Sequence, residues 1–311
     1  MSYDGITLKT LTVEDFENNF NEKLSPFLCE KIRARDFAYY DLSKEENDTL
    51  FVDILAHLRQ DLSASGPHRE GDWEFGWNEN RKEFERNPVK ENLIPRYFGK
   101  LPYVRWRQKF IKPVSKDFEY NMASILQYWL FEKYFKTINH VYEFGCGTGH
   151  NLFRVKEVNS DALACGLDWV DSSGATITLI NKHLNQNFDF HKFNFFDVDH
   201  DYKLAMNSGV YTFAALEQVG GNGEEFFQYL MGQNCQVGVH IEPMEDFLDP
   251  NTSLIDYLSV EYFRKRGYCY GLYDVLKRYE KDGIIEIVQA DRSHIGSQFV
   301  DGYSILAWRK K

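Results

Sequence analysis

The chain has 311 residues, 43% hydrophobic and 16% aromatic, with a formal net charge of −11. That length and apolar content support one large domain, or a domain with an appendage, and exclude a chain too polar to bury a core. The acidic balance excludes general attraction to nucleic-acid phosphate as the basis of function.

The opening stretch MSYDGITLKTLTVEDFENNF has neither a basic n-region nor an apolar h-region, so no signal peptide is expected. No run of about 18 apolar residues occurs, so no membrane span is expected either. Five cysteines (Cys29, Cys146, Cys165, Cys235, Cys269) lie singly, without C-x-x-C spacing. They point to reduced thiols and not to a zinc site or disulfide frame, and the protein is expected to be cytoplasmic.

No internal repeat is visible. Apolar residues at helical spacing predict a helix over 50–62. Residues 65–111 follow, rich in turn residues, aromatics and arginines and poor in strand signals. Residues 1–117 therefore read as a mostly helical, loop-rich appendage, serving as a lid, an acceptor-binding segment or a homodimer contact. From residue 118 the character changes. Residues 117–136 predict an amphipathic helix. Strand-like runs then occur at 140–144, 162–167, 188–193, 210–216 and 236–242, separated by helical stretches. That alternation is the mark of βαβ units and a mainly parallel sheet. Two further strands, 283–290 and 303–310, have no room for a helix between them and read as a C-terminal antiparallel hairpin. The expected fold is α/β: a Rossmann-like, seven-stranded, mainly parallel sheet over 118–311.

The first strand of this region runs into Glu143-Phe144-Gly145-Cys146-Gly147-Thr148-Gly149. Glycine at alternate positions is costly in a regular element. Between a strand and a helix it lets the backbone approach a nucleotide-like ligand beside a helix N-terminus. A P-loop would need a lysine that the stretch lacks. A dinucleotide turn, G-x-G-x-x-G, would put its third glycine at His150, which weakens an NAD reading without removing it. A second acid, Asp168, ends the next strand 19 residues after Gly149. There it either accepts both hydroxyls of a ribose or caps the helix starting near Ser172.

The acid and glycine pattern EFGCGTG resembles the first motif of the class I S-adenosylmethionine-dependent methyltransferases, and the resemblance spans about residues 118–311. It implies that S-adenosyl-L-methionine is the cofactor, with no metal. Glu143 would meet the cofactor's ammonium and the backbone of Gly145, Cys146, Gly147 and Gly149 would line it, with Asp168 on its ribose. Trp169 would cover the adenine or lie free on the surface. Asn194 and Phe195 take the adenine-reading places by strand length, with Asp197 as the alternative acid. Tyr120 and Asn121 start the preceding helix, where relatives touch the cofactor's carboxylate. Glu217 and Gln218 follow the fourth strand, at the edge of the cofactor.

The acceptor is less legible. After the fourth strand Glu217-Gln218-Val219-Gly220 replaces the [DN]-P-P-[YF] of adenine methylation, and no Pro-Cys pair exists for cytosine methylation. No nucleic-acid acceptor is therefore expected. Glu217, His240 and Glu242 lie at the C-terminal ends of the fourth and fifth strands, where such sheets bind ligands. His240 and Glu242 share one face of their strand and form a candidate base pair, unless His240 is a core histidine. His294 is a second candidate base. The C-terminal region resembles methyltransferases of bacterial surface-polysaccharide clusters that are described as sugar methyltransferases. This implies transfer to a hydroxyl of a sugar or glycan, with another small metabolite or a non-catalytic scaffold as alternatives. The aromatic segment Trp73–Arg107 suits a sugar, with Arg105 or Arg107 available for a phosphate.

Overall fold

The computed structural model describes residues 7–221 and 223–311; the first six residues of the stretch read for a targeting signal lie outside them. In chain order the first part contains β1 (Leu8–Thr10), α1 (Val13–Phe20), α2 (Pro26–Arg33), β2 (Ala38–Asp41), α3 (Lys44–Leu58), α4 (Glu70–Arg86), β3 (Val104–Trp106) and β4 (Lys109–Pro113). Local chemistry explains the helix starts. Thr12 and Asp15 form a capping box on α1, Ser43 and Glu46 one on α3, and Ser25 caps α2 ahead of Pro26.

The rest contains α5 (Phe118–Tyr134), β5 (His140–Phe144), α6 (Leu152–Val158), β6 (Leu163–Asp168), α7 (Asp171–Leu184), β7 (Asp189–Lys192) and β8 (Ser208–Phe213). It continues through α8 (Glu224–Met231), β9 (Cys235–Glu242), α9 (Leu254–Arg266), α10 (Leu272–Lys281), β10 (Ile285–Asp291), β11 (Ile295–Ser297) and β12 (Ser304–Lys310).

Seven strands form the central sheet in the order β10-β12-β9-β8-β5-β6-β7. β7, β6, β5, β8 and β9 run parallel, while β12 pairs antiparallel with both β9 and β10. The expected parallel sheet and terminal hairpin are both present. The order reverses beside β5: its βα connection leads to β6 on one side, and β8 lies on the other. The glycine turn after β5 thus sits at the switch point, where the two connections part and leave a crevice.

Two features differ from the sequence expectation. The helix expected to be amphipathic, α5, is buried on nearly every face, thirteen of its seventeen residues being inaccessible. It packs against β9 of the central sheet, against β11 and against α2, so it has no face left for solvent. Residues 7–117 hold α1 to α4, and they also contribute β1 to β4. These form a second, antiparallel sheet in the order β1-β2-β4-β3-β11, completed by a strand from the far end of the chain. One apolar cluster, with Phe16, Phe37, Trp106, Phe118, Leu126 and Ile241, runs through both parts.

Candidate functional site

The turn after β5 is built from three left-handed glycines, Gly145, Gly147 and Gly149, at φ 78°, 53° and 73°. Space matters as much as conformation. A Cβ on Gly145 would lie 2.4 Å from the Ala215 methyl, and one on Gly147 would lie 3.0 Å from the Trp77 ring. The amides of Gly145 and Cys146 both donate to the Leu167 carbonyl, at 2.7 and 3.0 Å, which locks the turn onto β6. Cys146 points beneath the turn, its Sγ against Gly166, and is buried.

Asp168, the last residue of β6, is 4% exposed. Its Oδ2 accepts the Gly147 amide at 2.8 Å and its Oδ1 accepts the Val170 amide at 3.3 Å. Burial pushes its carboxyl up to about 6, and these N–H groups oppose that rise. Beside it lies a cavity of about 70 Å³. Gly145, Asp168, Ala214 and Ala215 line it together with Trp169, Phe193, Asn194, Phe195 and Phe196; Trp73, Trp77, Gln218 and Val219 complete it. No lysine or arginine is among these lining residues.

Gly145, Asp168, Trp169, Asn194, Phe195 and Gln218 were all legible from sequence, and the fold brings them to one cavity. Between the two adenine-side alternatives, Asn194 lines the cavity while Asp197 is exposed outside it. Asn194 uses Oδ1 to accept the Phe196 amide at 2.9 Å, which leaves its NH2 as the free end. Tyr120 and Asn121 face a separate cleft with His150 and Arg154. Glu143 also stands apart from the cavity. It is fully buried, and its oxygens accept from Asn151 Nδ2 at 2.6 Å and Tyr211 Oη at 2.9 Å. Burial raises its carboxyl to about 8. In this arrangement both oxygens are engaged away from a ligand.

Trp73 and Trp77 were missed as cavity residues, although the aromatic segment beginning at Trp73 was expected to suit an acceptor, because the helical pattern of α4 is weak. Gly71 and Gly76 interrupt its pattern, and few apolar residues mark it. The available signal was the i,i+4 pair of tryptophans, which puts both rings on one helix face. They stack at 5.4 Å between centroids. α4 is tied down by Glu74, whose Oε2 accepts the Ser172 amide at 3.0 Å. This contact, and not Asp168, satisfies that amide near the α7 N-terminus.

The strand-end residues need correction. His240 was expected as a base, yet it has no exposed surface. Its Nδ1 lies 3.1 Å from Thr212 Oγ1, and its Nε2 accepts from Trp308 Nε1 at 3.1 Å. Burial lowers it to about 3, so it is a neutral core histidine with no route to a substrate. Glu242 is also fully buried, and it accepts the amides of Ala215 and Glu217 at 3.1 and 3.3 Å. It holds the turn after β8 and is not free to take a substrate proton. Glu217 is half-buried, accepts Gln218 Nε2 at 2.7 Å, and is raised to about 8 by burial and by Glu242. His294 lies at another cleft with Asn18, Asn19 and Arg107. Arg105 is 1% exposed and donates to Ser259 Oγ and the Gln298 carbonyl, so neither arginine reaches the cavity.

No protein-family profile matches the chain, and no curated protein matches it. Solved structures do. The [4+2]-cyclase SpnF is 13% identical over 80% of this chain and 97% of its own, with a TM-score of 0.51. Similarity at this level establishes the fold. Magnesium protoporphyrin IX methyltransferase from Synechocystis PCC 6803, solved with bound S-adenosylhomocysteine, is 14% identical over 62% of this chain and 83% of its own, at 0.45. Human N-acetylserotonin methyltransferase, solved with S-adenosylmethionine, is 13% identical over 63% and 56%, at 0.41.

Proposed function

We propose that the chain transfers a methyl group from S-adenosyl-L-methionine to a hydroxyl of a sugar-type acceptor. The observation that carries the cofactor half is the composition of the cavity at the switch point. It offers one carboxylate, Asp168, one free amide, on Asn194, and aromatic walls, with no lining cation. This suits a ribose diol and an adenine and gives a pyrophosphate nothing to pair with.

When bound, S-adenosylmethionine supplies a methyl group activated on a sulfonium. The chain's own residues do the rest. Asp168 accepts hydroxyl hydrogens and, through the Gly147 amide, fixes the turn. Trp73 and Trp77 cover the cavity and exclude water. Glu217 takes the acceptor's proton as its oxygen receives the methyl. A carboxyl held near 8 is matched to that task at neutral pH. Glu242 acts through the backbone, fixing Ala215 and Glu217. The sugar-type acceptor is favoured by the aromatic rings of Trp73, Trp77 and Tyr97 next to a polar edge.

Calorimetry with S-adenosylmethionine, S-adenosylhomocysteine and NAD tests the cofactor. The first two bind; binding of NAD alone would reverse the proposal. Transfer of labelled methyl to sugar and glycan pools, read by mass spectrometry, tests the acceptor, and transfer only to other metabolites removes the sugar.

A further inference from the structure

A larger cleft, of about 790 Å³, opens at the other edge of the central sheet from the cofactor cavity. The cavity lies where the parallel strands end, and this cleft lies where they begin. His140, Ser208 and Cys235 stand level at the starts of β5, β8 and β9. Three segments line the cleft: 132–138, from the end of α5 toward β5; 233–237, the entry to β9; and 309–311, the end of β12. Its volume falls within the roughly 300–1,000 Å³ of small-molecule sites.

The lining is cationic in a chain whose net charge is −11. Lys133 and Lys136 come from the α5 segment, and Arg309, Lys310 and Lys311 from β12. Glu132 is the acid among the lining residues, and it already accepts Ser25 Oγ at 2.7 Å. Lys133 is partly occupied, 3.6 Å from Glu22 and over the Trp129 ring. Lys136 and Arg309 are exposed and form no ion pair among the described residues, although Glu286 stands opposite Arg309 in the register of β10 and β12. Lys310 is half-buried and donates to the carbonyls of Met231 and Gln233, which fixes its charge at the cleft without a carboxylate to neutralise it. Gln233 adds a donor. It is 5% exposed, its Oε1 accepts the Leu204 amide at 3.1 Å, and its Nε2 has no partner among the described residues. Polar groups on so enclosed a side chain are normally satisfied, and these N–H groups are left to be met from the cleft that Gln233 lines.

We propose that this cleft binds a small polyanion carrying two or more phosphate groups. Cations on both α5 and β12 reward a ligand with several charged groups, whereas a lone anion meets them one at a time. Phosphate suits the donor set, because each group offers several oxygens: the Arg309 guanidinium can pair with two at once, and the lysines act as point charges. The cofactor cavity, with no lining cation, selects the opposite chemistry. The ligand is held without any bond being made or broken, and at this edge of the sheet it leaves the cofactor cavity clear. The site is independent of the methyl-transfer reading.

Calorimetry on the full chain at pH 7 tests this, in about 0.15 M salt to screen diffuse surface attraction. The probes are inorganic tripolyphosphate, orthophosphate and citrate. Tripolyphosphate should bind at least about tenfold tighter than either of the others. Lys136→Gln combined with Arg309→Gln should weaken it by about tenfold or more. Lys182→Gln, which removes an exposed cation of α7 that is not part of the cleft, should leave its affinity unchanged. No binding of tripolyphosphate, equal affinity for citrate or orthophosphate, affinity that survives the double substitution, or an equal loss with Lys182→Gln overturns the proposal. The urea midpoint reports whether the double variant is folded. If it is not, the exposed single substitution Lys136→Gln decides, with a loss of about threefold expected and no loss counting against the site.

Discussion

Asp168 serves the turn and the cavity at once, because one oxygen holds the Gly147 amide while the carboxyl borders the ligand space. Asp168→Ala should weaken S-adenosylhomocysteine binding by about 1–3 kcal/mol, the worth of hydrogen bonds to a charged group. Unchanged affinity by calorimetry would refute the ribose role. Ribose hydroxyls donate best to an ionised carboxylate, and this one titrates at about 6. Native affinity should therefore rise from pH 5 to 7 and then level off. Asp168 and the glycines were legible in the sequence because their work is local: strained turns and strand ends are written in adjacent residues. His240 was not. The partners that neutralise it, Thr212 and Trp308, lie 28 and 68 residues away, and only the assembled sheet brings them to it.

Among the elements, the long strands and the terminal hairpin could be read because their apolar runs are continuous and separated by helical spacing. The strands β1 to β4 could not, since each has only three to five residues and is defined by its neighbours, not by its own pattern. Helix α4 was lost for a similar reason, and it carries a distinct consequence. Its tryptophans keep the cavity at about 70 Å³, below the roughly 300–1,000 Å³ of most small-molecule clefts. Trp77→Ala should widen it, so that S-adenosylhomocysteine enters and leaves faster. Equilibrium affinity should drop roughly three- to tenfold, the worth of one aromatic contact. Stopped-flow tryptophan fluorescence checks this, and unaltered rates would mean that α4 does not gate the cavity. In the sheet itself, a Cβ on Gly238 would sit 2.4 Å from the Trp308 indole. Gly238→Ala should cost about 1–3 kcal/mol by overpacking, measured as a lower urea midpoint. An unchanged midpoint would show that β9 and β12 can part without cost.

For the molecule as a whole, the buried acids set an unusual pH response. Asp168 is held at about 6, Glu119 and Glu242 at about 7, and Glu143 and Glu217 at about 8. In the unfolded chain such groups titrate near 4. Between those limits the folded state binds more protons, so stability falls as pH rises. The contribution is complete below about pH 4 and is lost by about pH 8. Glu17, Glu46, Glu157, Asp199 and Asp249 shift downward, so their opposite contributions are already in place above pH 5. The net charge of −11 adds self-repulsion in the same direction. Buried His150 and His240 are held neutral and oppose this trend up to about pH 7, where the unfolded histidines lose their protons too. Urea midpoints should therefore decline from pH 7 to pH 8; a rise over that range would mean that these carboxyls are ionised and paired.

The pairing of β11 with β3 has a consequence for how the chain is made. Residues 104–106 leave the ribosome nearly two hundred residues before 295–297, the strand that covers their edge. For most of synthesis β3 therefore waits as an open template for any passing strand. A product stopped short of residue 295 keeps that edge bare for good, and nascent or truncated chains are where self-association should begin.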